Sequence, residues 1–238
     1  MKKYTLTLIL ALASLGLYAQ TNRNKTIINA ALHGWEYEIK AGVNLGGTAP
    51  LPFPEEIRSI DGYNPTLSIT IEGNMTKWLD TKKKWGIITG LRLENKGMRT
   101  KATVKNYNME IIGYDGNRLK GNWTGGVRTK VQNSYITIPV LAAYKLSPRT
   151  TLKLGPYFSY LMDGDFSGHV YEGYLRETNP TGDKINFTNG AIATYDFSGD
   201  LRKFQWGVQA GVDWKAFKHL KVHADLNWGL NDIFNKDF

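Results

Sequence analysis

In Phe204-Gln-Trp-Gly-Val-Gln-Ala-Gly-Val-Asp-Trp214, apolar residues alternate strictly with polar or small ones, and this alternation indicates the architecture of the chain. After a short break at 216–219, the run Leu220–Leu230 repeats the alternation. Two such runs in succession predict a pair of long antiparallel strands joined by a tight turn. The pattern fits a soluble sheet whose apolar face packs on a core. It also fits a transmembrane barrel whose apolar face contacts lipid.

Alternation elsewhere in the chain brings the predicted strands to seven. The additional strands are Gly34–Gly46, Leu67–Met75, a strand that begins at Trp85 and continues towards Tyr107, Tyr135–Leu146 and Thr151–Met162. Three connections are long, and we predict them to be loops: 47–65, 108–126 and 163–201. The other connections are short. This regular change of length is typical of outer-membrane barrels, which have long extracellular loops and short periplasmic turns. Five of the seven tryptophans lie on the apolar phase, like interfacial girdles.

The N-terminus has the features of an export signal. Two lysines, Lys2 and Lys3, precede an apolar run that ends near Leu17, and Ala19 offers a cleavage site. The run is shorter than the ~20 residues that a spanning helix needs. We therefore predict a signal peptide at 1–19, a periplasmic lead-in at 20–33 and a barrel domain at 34–238. The predicted location is the outer membrane of a Gram-negative cell envelope, because only helices and closed barrels span a membrane.

Composition excludes several classes of function. The chain has no cysteine, so it has no disulfide, no lipid-modified cysteine and no thiol nucleophile. The net charge is +9, and without Lys2 and Lys3 there remain 28 basic against 21 acidic residues, or +7. No basic-aromatic platform for nucleic acid is present, so we predict no nucleic-acid partner. The excess basic charge indicates contact with outer-membrane lipid or an ordinary solvated surface.

The polar phase of the strands carries charges of both signs. Because eight strands enclose a space that side chains just fill, we predict that these charges pair with one another as a structural plug. A narrow path for water or ions is the alternative. The inward charges include Glu36, Glu38, Lys40, Glu72, Arg92, Glu94, Lys145, Lys153, Asp213, Lys215, Lys221, His223 and Asp225.

One inward group, His223 with Asp213 or Asp225, resembles a catalytic arrangement. If Trp214 pairs with Val222, then Asp213 faces His223, and a carboxylate that orients a histidine is the geometry of general base catalysis. No nucleophile accompanies the pair, and a filled interior leaves no room for substrate. We predict a buried ion pair, no catalytic residue, no cofactor, no metal site and no enzymatic activity. The aromatic residues of the third predicted loop suit either surface recognition or packing: Tyr171, Tyr174, Phe187, Tyr195 and Phe197.

Several motifs resemble the small outer-membrane β-barrel domain of PorT-like proteins. They are Tyr135-Ile-Thr-Ile-Pro139, Gly155-Pro-Tyr-Phe-Ser-Tyr-Leu161, Lys203-Phe-Gln-Trp-Gly207, Trp228-Gly-Leu-Asn-Asp-Ile233 and, in its spacing, Gly90–Met98. The resemblance covers Trp35 to Ile233. It implies a distant link to protein secretion or envelope assembly. The sequence departs from the family at Gln205, where an acidic residue is common.

The sequence therefore predicts an all-β, antiparallel up-and-down transmembrane barrel of the eight-stranded type. The family has a further strand after the Trp228–Ile233 motif, so we expect the eighth strand to be missing from this chain. We predict a structural or interaction role through the three loops, with envelope proteins or extracellular ligands as partners. A narrow channel, a barrel hydrolase, a secretion component and a soluble lipid-binding barrel remain as alternatives.

Overall fold

The computed structural model describes residues 34–47, 55–113 and 116–235. All of these except Gly34 and Trp35 belong to the compact unit that begins at Glu36. The predicted signal peptide at 1–19 and lead-in at 20–33 lie outside the described residues. No helix in the described ranges is long and apolar enough to cross a membrane. Their regular structure is antiparallel β, in the strands β1 (Trp35–Asn44), β2 (Ile57–Thr66), β3 (Ser68–Trp78), β4 (Trp85–Ile112), β5 (Arg118–Lys145), β6 (Thr150–Glu177), β7 (Lys184–Asp196), β8 (Phe204–Lys215) and β9 (Lys221–Gly229).

The nine strands form one sheet with seven tracks. The order is β1-β3-β4-β5-β6-β8-β9. β2 and β3 pair with successive parts of β4, and β7 and β8 pair with successive parts of β6. Each of these two pairs is therefore one long track with an interruption. Seven tracks match the seven strands that the alternation predicted.

The sheet curls so that its first and last strands approach each other. Lys221 of β9 places its Nζ 2.8 Å from Glu36 Oε1 and 2.7 Å from Glu38 Oε2 of β1. A Cβ atom added to Gly42 of β1 would lie 3.2 Å from His223 Nε2 of β9. After β9 the chain runs beside the start of β8, where the Arg202 amide donates to the Ile233 carbonyl at 2.7 Å. The polar faces of all tracks thus enclose one interior.

The outward phase of the strands confirms the predicted apolar face. We call it the apolar belt; most of its large side chains are 39–86% exposed although they are aliphatic or aromatic. Trp85, Tyr144 and Trp214 lie near the short-turn end of the belt, and Tyr160, Phe204, Trp206 and Trp228 lie near the other end. The aliphatic members between them include Ile39, Val43, Ile69, Ile71, Met75, Ile87, Leu91, Leu93, Ile138, Val140, Leu152, Leu154, Val208, Val222 and Leu226.

The prediction of three long loops was wrong for most of their length. β2 occupies 57–66 of the first, β4 and β5 leave only 113–117 between them in the second, and β6 and β7 occupy most of the third. β4, β5 and β6 are 28 residues long each. We call their outer parts, 97–112, 118–133 and 163–177, together with β2 and β7, the projecting sheet.

Bulges explain why the alternation was not visible in the projecting sheet. The β4–β5 register shifts between Val104 and Tyr107, where Asn106 has a φ of 59°. β6 shifts opposite Tyr135 and again near Glu172, which has a φ of 47°. A bulge adds one residue and moves the inward set from one parity to the other. On β6 the buried residue is odd-numbered at Leu161, even-numbered at Val170 and odd-numbered again at Leu175.

Pro139 interrupts the ladder of β5 without shifting its register. Thr89 pairs with Val140 and Arg92 pairs with Thr137, and the two pairs between them are missing. A proline has no amide hydrogen to donate, so a central strand can hold it only where the ladder is broken. The strand thus accommodates Pro139 by a local break in its ladder and without a bulge.

Candidate functional site: the charged interior and the projecting sheet

The interior at the short-turn end is lined by a partly exposed charge cluster. Lys221 bridges Glu36 and Glu38, and the Trp78 indole N–H donates to Glu36 Oε2 at 3.1 Å. Lys145 lies over the Trp78 ring, 4.7 Å from its centroid. Glu36 and Glu38 thus share one inward lysine, in agreement with the predicted pairing of inward charges.

The next layer is centred on Lys153, whose side chain is fully buried. Its Nζ lies 2.7 Å from Asp213 Oδ1 and 2.8 Å from Asp225 Oδ1. Lys40 Nζ approaches Asp213 Oδ1 at 3.6 Å and Glu72 Oε1 at 3.8 Å. Two lysines and three carboxylates from five different tracks therefore form one continuous network.

Arg92 carries the network towards the middle of the interior. Its Nε binds Glu72, its Nη2 donates to Gln209 Oε1 at 2.8 Å, and its Nη1 lies 3.9 Å from Glu94 Oε2. Glu94 also accepts from the Thr137 hydroxyl at 2.8 Å and pairs with Lys96 at 3.2 Å. Desolvated charges are tolerated only where they are paired and hydrogen-bonded, and this network meets that requirement. Most of the inward charges thus pair with one another as predicted. The exceptions within the described residues are Lys145, which lies over Trp78, His223, which is in no ion pair, and Lys215, which is exposed.

Apolar side chains close the interior above Glu94. Tyr135, Leu161 and Leu201 form a buried cluster against which Phe166, Ile233 and Phe234 pack. A separate apolar core fills the projecting sheet and is built around Trp123, whose ring meets Phe187 edge-on at 5.4 Å. The buried members of this core are Val104, Met109, Ile111, Trp123, Val170, Leu175, Phe187, Ala193 and Tyr195. The molecule thus stacks an apolar interior on a charged one.

Sequence reasoning missed this second core. The signal for it lies in the apolar residues of the predicted loops, whose regular spacing the bulges break and which stand among many glycines and asparagines. Of the aromatic residues named there, Phe187 and Tyr195 are buried in the core, and Phe197 packs against it. Tyr171 and Tyr174 remain partly exposed, under Arg128 and Lys184 respectively. The packing interpretation is correct for three of the five.

The arrangement of Asp213 and His223 does not support base catalysis. The predicted register is confirmed, because Trp214 pairs with Val222 and Asp213 pairs with His223. In the described part of the chain, however, the Asp213 carboxylate contacts Lys153 and Lys40 rather than the imidazole. A histidine without that carboxylate has lost its orienting partner. No group of three or more potential metal ligands occurs among the described residues.

Burial affects one titrating group of the projecting sheet strongly. Desolvation in the apolar core raises the pKa of Tyr195 from 10.0 to about 12. Its hydroxyl shares a hydrogen bond of 2.6 Å with Thr129 Oγ1 and donates to the Arg128 carbonyl at 3.0 Å. The neutral Tyr195 hydroxyl therefore connects β7 to β5 by hydrogen bonds.

An exposed apolar belt around a paired, charged interior defines the outer-membrane class of β-barrel protein. The chain belongs to the outer membrane protein β-barrel domain family, whose sequence profile matches residues 18–235. It is an integral outer-membrane protein, with its apolar belt in lipid. No curated protein and no solved structure matches the chain.

Proposed function

We propose that the protein is an outer-membrane anchor that holds a rigid β-sheet outside the cell as an interaction surface. The observation that carries the proposal is the length of β4, β5 and β6. A strand needs about 9–11 residues to cross a membrane. Each of these strands has 28 residues, so more than half of each lies beyond the belt.

The projecting sheet has the construction of a binding surface that is formed before its partner arrives. Its own apolar core, centred on Trp123, is separate from the charged interior below. Ordered strands lose less conformational entropy on binding than flexible loops do. The resemblance to PorT-like proteins supports a partner in envelope secretion or assembly.

A conducting or catalytic role has less support. The network around Lys153 and Arg92 fills the interior, and the cluster of Tyr135, Leu161 and Leu201 lies above it. Two successive fillings, one charged and one apolar, oppose the passage of hydrated ions. We therefore propose that the protein is neither a channel nor an enzyme, and that planar-bilayer recordings of the purified protein give no defined conductance steps.

Site-specific photo-crosslinking in cells tests the proposed role. A photoreactive residue is placed at Lys105 or at Glu172, both exposed on the projecting sheet, and at the fully buried Thr137 as a control. We expect adducts of discrete mass from the two outer positions only. Equal adducts from Thr137, or none from the outer positions, would contradict the proposal.

A core variant separates binding from membrane insertion. Trp123→Ala removes the largest fully buried side chain of the projecting sheet, and such truncations cost about 3–5 kcal/mol. We expect the variant to keep a heat-modifiable barrel in the outer membrane and to lose the adducts. If the adducts persist after the sheet becomes sensitive to protease, its rigid form is not the binding surface.

A further inference from the structure

Two pairs of like charges face each other across β4 and β5. Arg99 is the direct partner of Lys130, and Lys101 is the direct partner of Arg128. Directly opposite residues hold their Cβ atoms about 4.5–5.5 Å apart, and like charges in such positions are destabilising. We call these four residues the basic ladder. A negative charge near the basic ladder, either from the chain or from a bound ligand, would relieve this repulsion.

Counter-charges within the chain do not neutralise the ladder. Lys130 lies 3.2 Å from Asp165, and Arg128 stacks over Tyr171. Among the described residues, Arg99 and Lys101 have no carboxylate within 4.0 Å. The acid next to them on β2, Asp61, accepts the hydroxyls of Ser59 and Thr103 instead. Two exposed cations are therefore left for a ligand.

The ladder lies on the same outward phase of β4 as the belt residues Leu91 and Leu93. Arg99 follows Leu93 by six residues, or about 20 Å along a strand, and a tilt of about 40° reduces this to roughly 15 Å above the belt. This height lies outside the hydrocarbon, on the headgroup side and above the first few ångströms of the polar layer. Long basic side chains also extend towards the membrane surface while their charged ends stay in water.

From this position we infer that the basic ladder binds the phosphate groups of the glycolipid headgroups in the outer leaflet. A row of exposed basic residues beside a membrane binds anionic headgroups, each residue contributing attraction that salt screens. An anion between the paired residues also relieves the repulsion across the ladder. This inference shares with the proposed function only the placement of the projecting sheet outside the cell, and it does not depend on any protein partner.

The test uses Arg99→Gln combined with Lys101→Gln, because these two residues have no partner to lose. Purified full-length protein in neutral detergent is titrated with lipopolysaccharide, and the binding constant and the midpoint of heat unfolding are measured. With about 1 kcal/mol for each basic residue near an anionic surface, we expect binding to weaken roughly tenfold or more. Without lipopolysaccharide we expect a higher midpoint than in the wild type, because the repulsion is gone.

The matched control is Arg58→Gln combined with Lys120→Gln. It removes the same charge from exposed positions of the projecting sheet, and Lys120 faces an opposite charge, Glu110, rather than a like one. We expect wild-type affinity from the control, and weak binding of dephosphorylated lipopolysaccharide by the wild type. Equal losses in both variants, undiminished binding by the first, or equal binding of polyglutamate would overturn the inference.

Discussion

Lys153→Met is the most direct test of the charged interior. The side chain of Lys153 is fully buried and serves two carboxylates, Asp213 at 2.7 Å and Asp225 at 2.8 Å. Removing one partner of a buried ion pair costs about 3–5 kcal/mol, since it leaves an uncompensated charge. Asp213 still has Lys40 at 3.6 Å. The main effect of the substitution is therefore that the Asp225 carboxylate loses its ion-pair partner. We expect a destabilisation of about 3 kcal/mol, at the lower end of that range.

Rescue distinguishes lost charge pairing from lost volume. Adding Asp225→Asn to Lys153→Met removes the stranded charge, and adding Asp213→Asn as well leaves a neutral layer. Replacing a buried ion pair by uncharged groups of similar volume is often neutral. We therefore expect the triple variant to recover most of the loss, although a cavity or a poor packing fit would retain part of it.

The assay is equilibrium urea unfolding in lipid vesicles, followed by tryptophan fluorescence. Lys215→Met provides the control. It makes the same change of side chain at an exposed position of β8, outside the network. Its expected effect is within about 0.5 kcal/mol. A cost below about 1 kcal/mol for Lys153→Met, or a triple variant as unstable as the single one, would refute the argument that pairing holds these charges in place.

Two further changes test the belt and the projecting sheet. Leu154→Lys should lower the free energy of unfolding in vesicles by about 2–4 kcal/mol, because the Leu154 side chain, although 59% exposed, contacts lipid. The control Gln132→Lys, on the projecting sheet, should leave that free energy unchanged in the same assay. Because the pKa of Tyr195 is raised, the neutral tyrosine stabilises the sheet fully at a pH below the ordinary tyrosine pKa of 10.0. This contribution is lost as the pH rises through about 12. Protease resistance of the sheet should fall over that interval, and Tyr195→Phe should not show the step.

The sequence was sufficient for the membrane-spanning part because one physical requirement acts on every residue there. Lipid outside and a packed polar interior inside impose a period of two, and the hairpin from Phe204 to Leu230 shows it without a break. The same period placed Asp213 opposite His223, which the register confirms. It did not show that the carboxylate would pair with Lys153, because that lysine comes from another strand, 60 residues earlier in the chain.

The projecting sheet could not be predicted in this way, because each bulge resets the period. Asn106 and Glu172 adopt positive φ values at two of the register shifts, and neither residue type marks a bulge in the sequence. Glycines added to the difficulty: at Gly168, Cβ would collide with the Arg128 carbonyl. A glycine-rich segment suggests a loop, yet here a glycine permits close packing within a sheet.

These bulges also explain how one set of strands holds two unlike interiors. Below the bulge opposite Tyr135, the odd-numbered residues of β6 face inward and include Lys153, Tyr157 and Ser159. Above it, the even-numbered residues face inward and lead to Val170. The shift of parity lets the outward face change from apolar to polar while the interior changes from charged to apolar. The bulge at Met162 therefore marks the boundary between the membrane-spanning part and the projecting sheet. Deletion of Met162 leaves Leu161 and Gly164 on the inward face, so we expect both interiors to stay packed in the unfolding assay and only the bulge to disappear.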